Sequence, residues 1–399
     1  MKNRFDAPPG VLVRQQIERL VAEDAIRHLK GNRDKPDPSA FDLPISEEAW
    51  KLASGCRPTM LELEQLKADS EKVTPVNGLF TFERHTPYLV KLYHLLKLPK
   101  NISGRATGRS SVGRLDVITR LLLATNGTAR DGVEYDLVPP GYEGGLYVLV
   151  LPQTFAINVS VGTSLNQLRL FSGSQFDSII SRDSVRHYGT DFWFRRDKGG
   201  WPEEEESRTW DSSLIEDPYQ QAMTVDLADP DEGYVFRANK DATEAVTLSR
   251  QANDPTRYFS KVPVEQDGSV TLEKDEFYIL KSQERLHIPS TVAVEVVAIS
   301  ERIGDIRIHY AGFAHPLFGR ERDETDAKQG TPLIFEVRST DMKTKLKHGA
   351  LLARVQLFRM SQEYVPEKEG SSKKLKAASS YGTQELTLSN YFSDWKDPS

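Results

Sequence analysis

Cysteine is almost absent from this sequence. The 399 residues include one cysteine, Cys56, and eight histidines that are scattered along the chain. A single cysteine excludes an intrachain disulfide framework and fits a reducing compartment, so we expect a cytoplasmic protein. It also excludes the H-x-E…P-C-x-x-C signature of zinc-dependent base deaminases, which needs two cysteines. Because His85 and His94 lack partners at metal-ligand spacing, we expect no metal site.

Long apolar runs and a strong charge of either sign are missing as well. No window approaches the roughly 18 apolar residues of a membrane-spanning helix. The first ten residues, MKNRFDAPPG, contain no apolar signal core, so we expect no membrane partner. The net charge of −6 and the pI of about 5.9 argue against binding to bulk nucleic acid.

One basic segment is punctuated by glycines. Residues 103–120 read SGRATGRSSVGRLDVITR and contain four arginines, three glycines and a single acid, Asp116. Glycines let a backbone approach a ligand closely, and arginine forks and hydroxyls suit phosphate oxygens. The segment therefore favours a polyphosphate site with Ser110 and Arg114 near the reacting end. The alternative is a solvated basic loop.

The hydrophobic pattern predicts a short helix followed by many strands. Residues 12–26 place Val13, Ile17, Leu20 and Val21 at helical spacing. From Leu79 onward, short apolar runs such as TPYLVKLY and GLYVLVLP end in Gly, Pro or Asn. This spacing predicts an all-β barrel or sandwich.

An internal repeat divides the strands into two copies. The motif TFER…YLVK…LP at 81–99 recurs 190 residues later as TLEK…YILK…IP, and GTSLNQLRLF recurs 187 residues later as GALLARVQLF. Repeats on one register indicate a duplicated domain. We predict two β domains of related fold, a polar linker between them, and a tail that is either a lid or a docking strand for a neighbouring subunit. Their bounds are 1–175, 219–365, 176–218 and 366–399.

The second copy carries a carboxylate within an apolar strand. Residues 331–339 read TPLIFEVRS, with Glu336 in the middle. Alternation puts Leu333 and Phe335 on one face, and Ile334 and Glu336 on the other. Glu336 is either exposed on that second face or partly desolvated, with a raised pKa that suits proton transfer.

Four motifs together resemble a known family. GRSSVGRLDV, PPGYEGGLY, GTSLNQLRLF and YGTQELTLSNYF are similar to segments of the dCTP deaminases of the trimeric dUTPase superfamily, in the form that carries the fold twice in one chain. The resemblance spans nearly the whole chain. It implies a mainly β protein with two tandem distorted barrels, a short N-terminal helix and a C-terminal tail. It also implies a homo-oligomer with nucleotide sites between neighbouring barrels.

The reaction implied by the resemblance is the metal-free hydrolytic deamination of dCTP to dUTP and ammonia. Ser110 would help to place the attacking water, Arg114 would support the site, and Glu336 would act as general base and proton shuttle. No cofactor is expected for catalysis, and Mg²⁺ is expected only as the charge partner of the triphosphate. The nucleotide-binding residues implied by the resemblance are Arg109, Ser111, Gly141, Tyr142, Gln167, Tyr381 and Gln384.

The sequence departs from the family pattern in each copy. Leu149 stands at the glutamate position of the first copy, and ISERIGDIR replaces the serine–arginine loop of the second. Because neither copy is complete, we expect Ser110 and Arg114 of one half to face Glu336 of another. Val138 and Pro139 stand where dUTP hydrolysis would need an aspartate, which counts against a dUTP diphosphatase or a bifunctional enzyme. The remaining alternative is a nucleotide-binding protein that has lost catalysis.

Overall fold

A computed structural model describes most of the chain. The described residues are 4–31, 35–55, 63–124, 134–181, 184, 193–196, 219–229, 233–298, 306–308, 312–320, 330–339, 342–366 and 384–396. Within these ranges the fold is mainly β, as the sequence predicts. The α-helices found there are α1 (Arg14–Ala22), α2 (Leu63–Ala68), α3 (Ser110–Gly113) and α4 (Pro255–Tyr258), and a 3₁₀ helix spans Phe176–Ser178.

The N-terminal helix, α1, lies within the predicted range 12–26. The Val13 backbone N–H donates to Gln16 Oε1 (3.0 Å), which satisfies one of the donors left open at the start of a helix. Ile17 and Leu20 are fully buried against the first half. The helix is shorter than the pattern predicts because Asp24 adopts a left-handed backbone (φ 63°), which turns the chain into the next strand.

The first half is a sheet that curls into a nearly closed barrel. Its main path runs β8-β10-β6-β3-β12-β7-β9, with three further strands paired at its sides. All neighbours on this path are antiparallel. Two more strands of this half, β5 and β11, pair with each other in a separate sheet. The strands of the half are β1 (Gly10–Val11), β2 (Ile26–His28), β3 (Phe41–Lys51), β4 (Glu71–Val73), β5 (Leu79–Phe82), β6 (Tyr88–Lys97), β7 (Ile102–Gly108), β8 (Val117–Leu123), β9 (Leu137–Val138), β10 (Glu143–Pro152), β11 (Ile157–Ser160) and β12 (Ser164–Ser172).

The second half is built from the remaining strands. Two sheets, β17-β15-β19-β23-β21 and β14-β25-β20-β22, stand beside a β18-β24 pair, while β13 pairs with β19 and β16 joins β11 of the first half. The strands are β13 (Trp193–Arg196), β14 (Gln220–Thr224), β15 (Tyr234–Ala238), β16 (Val246–Thr247), β17 (Phe259–Pro263), β18 (Ser269–Leu272), β19 (Phe277–His287), β20 (Val292–Ala298), β21 (Ile306–Ile308), β22 (Phe313–Ala314), β23 (Thr331–Ser339), β24 (Thr344–Lys347) and β25 (Leu351–Arg359).

The sequence repeat is also a repeat of local structure. In the first copy the Glu83 backbone N–H donates to the Tyr88 hydroxyl (3.2 Å), and in the second the Glu273 N–H donates to the Tyr278 hydroxyl (2.9 Å). These residues are related by the 190-residue offset. His85 and Asp275, at the same offset, both have positive φ, 55° and 58°. Each copy therefore uses the same buried tyrosine to fix the same turn.

Polar and apolar contacts join the halves. A cluster that includes Val11, Phe171 and Phe358 packs between them. Arg169 of β12 is fully buried and donates to the carbonyls of Val294 (3.2 Å) and Ala314 (3.3 Å) in the second half. A buried guanidinium needs such partners because desolvation penalises its charge. The halves are therefore fixed in one mutual orientation.

Two segments need separate mention. Of the predicted linker 176–218, the structure describes only residues 176–181, 184 and 193–196, so the remainder lies outside the described ranges. Among the helices that the structure describes, none has the length and apolar character required to cross a membrane.

Candidate active site

A small cavity lies where the two halves meet. Ser110 and Arg114 of the first half, Glu336 of β23 and Gln384 of the tail line it. Its remaining wall is mostly apolar and includes Val296, Phe313, Phe318 and Leu333. The cavity encloses about 60 Å³, which is room for water beside the polar groups.

The loop that carries Ser110 is a single helical turn, α3. Arg109 precedes the turn in an extended conformation (φ −70°, ψ 140°), and its N–H donates to the carbonyl of Leu165 in β12 (3.0 Å). The Arg114 N–H donates back to the carbonyl of Ser110 (3.1 Å). Ser110 is only half-buried, and its hydroxyl lies beside Gly312, where a Cβ would stand 3.7 Å from Oγ. The turn thus presents Ser110 to the cavity and directs Arg114 inward.

Arg114 is held by the tail. Its Nη2 donates to Gln384 Oε1 (2.6 Å), and its Nη1 donates to the carbonyls of Thr387 and Leu388 (3.3 Å each). Only 2% of the residue is exposed. Arg114 Nε is 3.9 Å from Oε1 of Glu336. The guanidinium is therefore fixed in orientation and faces the carboxylate of the other half.

Glu336 is buried, so the desolvated interpretation of this residue holds and the exposed one is wrong. Strand alternation places Leu333, Phe335 and Val337 in the core of the second half, while Ile334 packs against the core of the first. Burial raises the pKa of Glu336 to about 7, and the nearby Arg114 charge opposes that rise. Near neutral pH the carboxyl group can therefore both accept and release a proton.

The described part of the tail crosses the loop of residues 109–114. The Ser389 hydroxyl donates to the Ser111 carbonyl (2.7 Å), and the Ser111 hydroxyl donates to the Tyr391 hydroxyl (3.4 Å). Leu388 and Phe392 are buried in the core of the first half. Gln384 Nε2 donates to the Pro332 carbonyl (3.1 Å), so one amide bridges β23 and Arg114.

Ser110, Arg114, Glu336 and Gln384 are thus brought together, whereas other predicted residues lie elsewhere. Arg109 forms an ion pair with Asp42 of β3. Gln167 is buried in β12, opposite Thr107 and Asp42. Gly141 and Tyr142 lead into β10. Tyr381 lies outside the described residues.

The contacts of Gly141 and Tyr142 are those of a chain turn. Gly141 has a φ of 73°, which favours glycine, and its N–H donates to the carbonyl of Pro99 (3.2 Å). The Tyr142 hydroxyl donates to the carbonyl of Gly145 (2.6 Å), and burial raises the pKa of that hydroxyl. Neither residue is part of the wall of the cavity.

In the first half, Leu149 occupies the position equivalent to Glu336. It is buried in an apolar cluster with Trp50, Leu89, Leu122 and Tyr147. The side chains of this cluster fill the space beside Leu149, and none of them is acidic.

Sequence reasoning missed a second polar contact beside the cavity. Arg338 of β23 forms an ion pair with Asp116, and Thr154 bonds to both. The only signals in the sequence were that Asp116 is the one acid of the basic segment and that Arg338 follows Glu336 by two positions. Within the described ranges, no group of three or more His, Cys, Asp or Glu side chains could hold a metal ion.

Comparisons with known proteins cover nearly the whole chain. The family model of the 2'-deoxycytidine 5'-triphosphate deaminase N-terminal domain matches residues 8–174, and the model of the C-terminal domain matches residues 205–392. No curated protein sequence matches the chain. Among solved structures, 2'-deoxycytidine 5'-triphosphate deaminase from Agrobacterium tumefaciens is 25% identical with a TM-score of 0.74, over 89% of this chain and 97% of that one.

A second solved structure is far less similar. A variant of the dUTPase of Staphylococcus bacteriophage 80alpha is 12% identical, over 38% of this chain and 95% of its own. The TM-score of 0.18 is too low to bear on the fold.

Proposed function

Since the chain belongs to the dCTP deaminase family, a family of hydrolases that break a C–N bond of a cyclic amidine, we propose that it converts dCTP to dUTP and ammonia in the cavity between its two halves. The observation that supports this location is the meeting of Arg114 and Glu336. These two buried groups come from different halves, with Nε and Oε1 3.9 Å apart.

Glu336 is the proton-transfer group of the proposed mechanism. Its carboxylate takes a proton from a water molecule, whose oxygen attacks carbon 4 of the cytosine ring. The carboxylic acid then passes that proton to the exocyclic amine, the carbon–nitrogen bond breaks and ammonia leaves. The proton of the new hydroxyl group on carbon 4 moves to ring nitrogen 3, which leaves the carbonyl of dUTP. A pKa near 7 suits both transfers at neutral pH.

Ser110 and Arg114 hold the reacting water and the charge that develops around it. The Ser110 hydroxyl can donate to the water or accept from it. Arg114 is anchored by the Gln384 side chain and two carbonyls, so it needs no reorientation during the reaction. Fixed charges and dipoles of this kind stabilise a transition state more than mobile ones do. Membership of the dCTP deaminase family is consistent with catalysis that needs no cofactor.

The remaining assignments belong to the nucleotide as a whole. Arg109, Ser111, Gln384 and Tyr381 would contact the triphosphate, and Mg²⁺ would accompany it as a charge partner. Gln167, Gly141 and Tyr142 are proposed to line its approach. We also propose a cytoplasmic homo-oligomer. The oligomer is proposed from the family resemblance alone, since the four polar residues of the described cavity all come from one chain.

A time course of dCTP with the purified protein tests the proposal. We expect dUTP and ammonia to appear in equal amounts with Mg²⁺ present, and turnover to survive a chelator of transition metals. Glu336→Gln, purified in parallel, is the matched control for a contaminating deaminase. Release of dUMP and pyrophosphate would instead indicate a bifunctional enzyme. Binding of dCTP without any turnover would contradict the proposed catalysis.

A further inference from the structure

Two polar contacts, one beside the other, connect the same two segments of the chain. The first is Arg114 facing Glu336. In the second, the Arg338 guanidinium forms an ion pair with Asp116, and its Nη2 also donates to Thr154 Oγ1 (2.8 Å). Asp116 is fully buried, and the Arg338 side chain is 15% exposed. This second contact is therefore largely enclosed, although its arginine is more exposed than Arg114, whose side chain is 3% exposed.

The spacing of these residues makes the two contacts parallel. Arg338 follows Glu336 by two positions on β23, so both side chains point to the same face, about 7 Å apart along the strand. Asp116 follows Arg114 by two positions beyond α3. Each contact therefore joins the end of the loop of residues 109–114, the catalytic loop of the proposed mechanism, to β23.

Backbone hydrogen bonds fix both ends of the second contact. The Asp116 N–H donates to the Gly113 carbonyl (2.8 Å), and the Asp116 carbonyl accepts from the Gln153 N–H (2.9 Å). On the other side, Arg338 Nη1 donates to the carbonyl of Asp275 (2.7 Å). A movement of β23 relative to the catalytic loop would have to break a charge-assisted bond at a buried site.

In the first contact, no direct hydrogen bond fixes the distance between Arg114 and Glu336. Arg114 Nε and Glu336 Oε1, at 3.9 Å, are beyond hydrogen-bond distance. This separation suits a general base that must receive a water proton, because a direct bond to the guanidinium would engage the carboxylate oxygen. Something other than a bond between these two atoms must therefore hold the base at its distance.

We propose that Asp116 and Arg338, supported by Thr154, are positioning residues that fix the Glu336 carboxylate relative to Ser110 and Arg114. They act through the placement of β23 against the catalytic loop and do not touch the nucleotide. This inference rests on the proposed deamination at Glu336. A displacement of about 1 Å in a catalytic group can cost on the order of 100-fold in rate.

Steady-state kinetics of a graded series of variants tests the inference. Arg338→Met removes the charge and the fork, Arg338→Lys keeps the charge alone, and Thr154→Val removes one supporting hydroxyl. Leu346→Ala is the control, because Leu346 lies buried in the core of the same half and is not part of the cavity wall. The readouts are kcat, the Kd for dCTP measured by calorimetry, and the melting temperature.

A positioning role predicts a fall in kcat that stability does not explain. We expect kcat to fall about 100-fold in Arg338→Met, less in Arg338→Lys and least in Thr154→Val, with the Kd for dCTP within a few-fold of wild type. Leu346→Ala should lower the melting temperature and leave kcat unchanged. If Arg338→Met does not fold, the comparison of Arg338→Lys with Leu346→Ala decides.

Two results would overturn the inference. One is a variant series in which the melting temperature falls as in Leu346→Ala while kcat stays at the wild-type value. The other is a rise in Kd that accounts for the whole loss of kcat/KM, because that would place Arg338 in substrate binding. A wild-type protein that does not convert dCTP would instead refute the proposed function, so the two failures can be told apart.

Discussion

The Glu336 carboxylate and the Arg114 guanidinium lie 3.9 Å apart, although each belongs to a different half of the chain. The two halves have diverged in a complementary way. The first keeps the serine–arginine loop and has Leu149 at the glutamate position, whereas the second keeps Glu336 and has lost the loop. A duplicated fold can tolerate such losses when one half supplies what the other lacks, and here the two retained parts meet in one buried cavity.

Replacement of Glu336 by glutamine should abolish turnover and spare binding. Glutamine keeps the size of the side chain and its hydrogen-bonding ability, but it cannot accept a proton. We expect kcat to fall by about 100-fold to 10,000-fold, as is typical for the loss of a general base. Calorimetric titration with dCTP should show a Kd close to that of wild type. Full activity in Glu336→Gln would refute its role as the base.

The activity of the wild-type enzyme should depend on the ionisation of Glu336. The base must be deprotonated to accept the water proton, and burial raises its pKa to about 7. We therefore expect kcat/KM to be low at pH 5, to rise through about pH 7 and to level off above it. A profile that is flat between pH 5 and pH 8 would show that another group takes the proton.

The same pKa shift predicts a stability difference with a definite sign. Burial raises the pKa of Glu336 from 4.5 to about 7, so the folded protein binds this proton more tightly than the unfolded chain does. The stability that the protein gains from binding this proton is fully present below pH 4.5 and is lost as the pH rises to about 7. Glu336→Gln cannot ionise and avoids this loss.

Relative to wild type, Glu336→Gln should therefore gain stability between pH 5 and pH 8. The expected gain is at most about 3 kcal/mol, because the rise in the pKa of Glu336 covers about two pH units above pH 5, at about 1.36 kcal/mol each. Denaturant unfolding of both proteins at the two pH values measures it. If Glu336→Gln instead loses stability relative to wild type over this pH range, the folded protein favours the charged form of Glu336, as an ion pair with Arg114 would make it do.

Leu149→Glu should destabilise the first half without creating a second site. Leu149 is 7% exposed within an apolar cluster, where burial would desolvate a carboxylate. The expected cost is about 3 kcal/mol, compared with less than about 1.5 kcal/mol for the control Leu149→Met. Thermal unfolding with a dCTP assay checks both. Raised deaminase activity in Leu149→Glu would mean that this position needs only an acid to become catalytic.

Local patterns explain which features could be predicted from the sequence. The strands, the helix that contains Ile17, and the alternation around Glu336 follow from periodicities of two and about 3.6 residues. The contact between Asp116 and Arg338 spans 222 positions in the chain, and no local pattern carries such a distance. The sequence likewise could not show that Gln384 reaches Arg114, 270 positions away, because the docking of the tail depends on the assembled core.

Phe392 should control the docking of the tail over the catalytic loop. Its ring lies 5.5 Å from those of Tyr258 and Phe259, in the core that also buries Leu388. Phe392→Ala removes these contacts, at a cost of about 3 kcal/mol or more. Because the tail is a short segment, the loss should appear as local undocking and not as global unfolding.

Undocking would release Gln384 from Arg114, so kcat should fall and KM for dCTP should rise together. Hydrogen exchange supplies the independent readout. The Phe392 and Ser393 amides, which donate to the carbonyls of Ser389 and Asn253, should exchange faster in the variant, while β6 stays protected. Asp394→Ala, at an exposed position of the same tail, is the matched control and should behave as wild type. Faster exchange with unchanged kinetics would show that the docked tail is not needed for turnover.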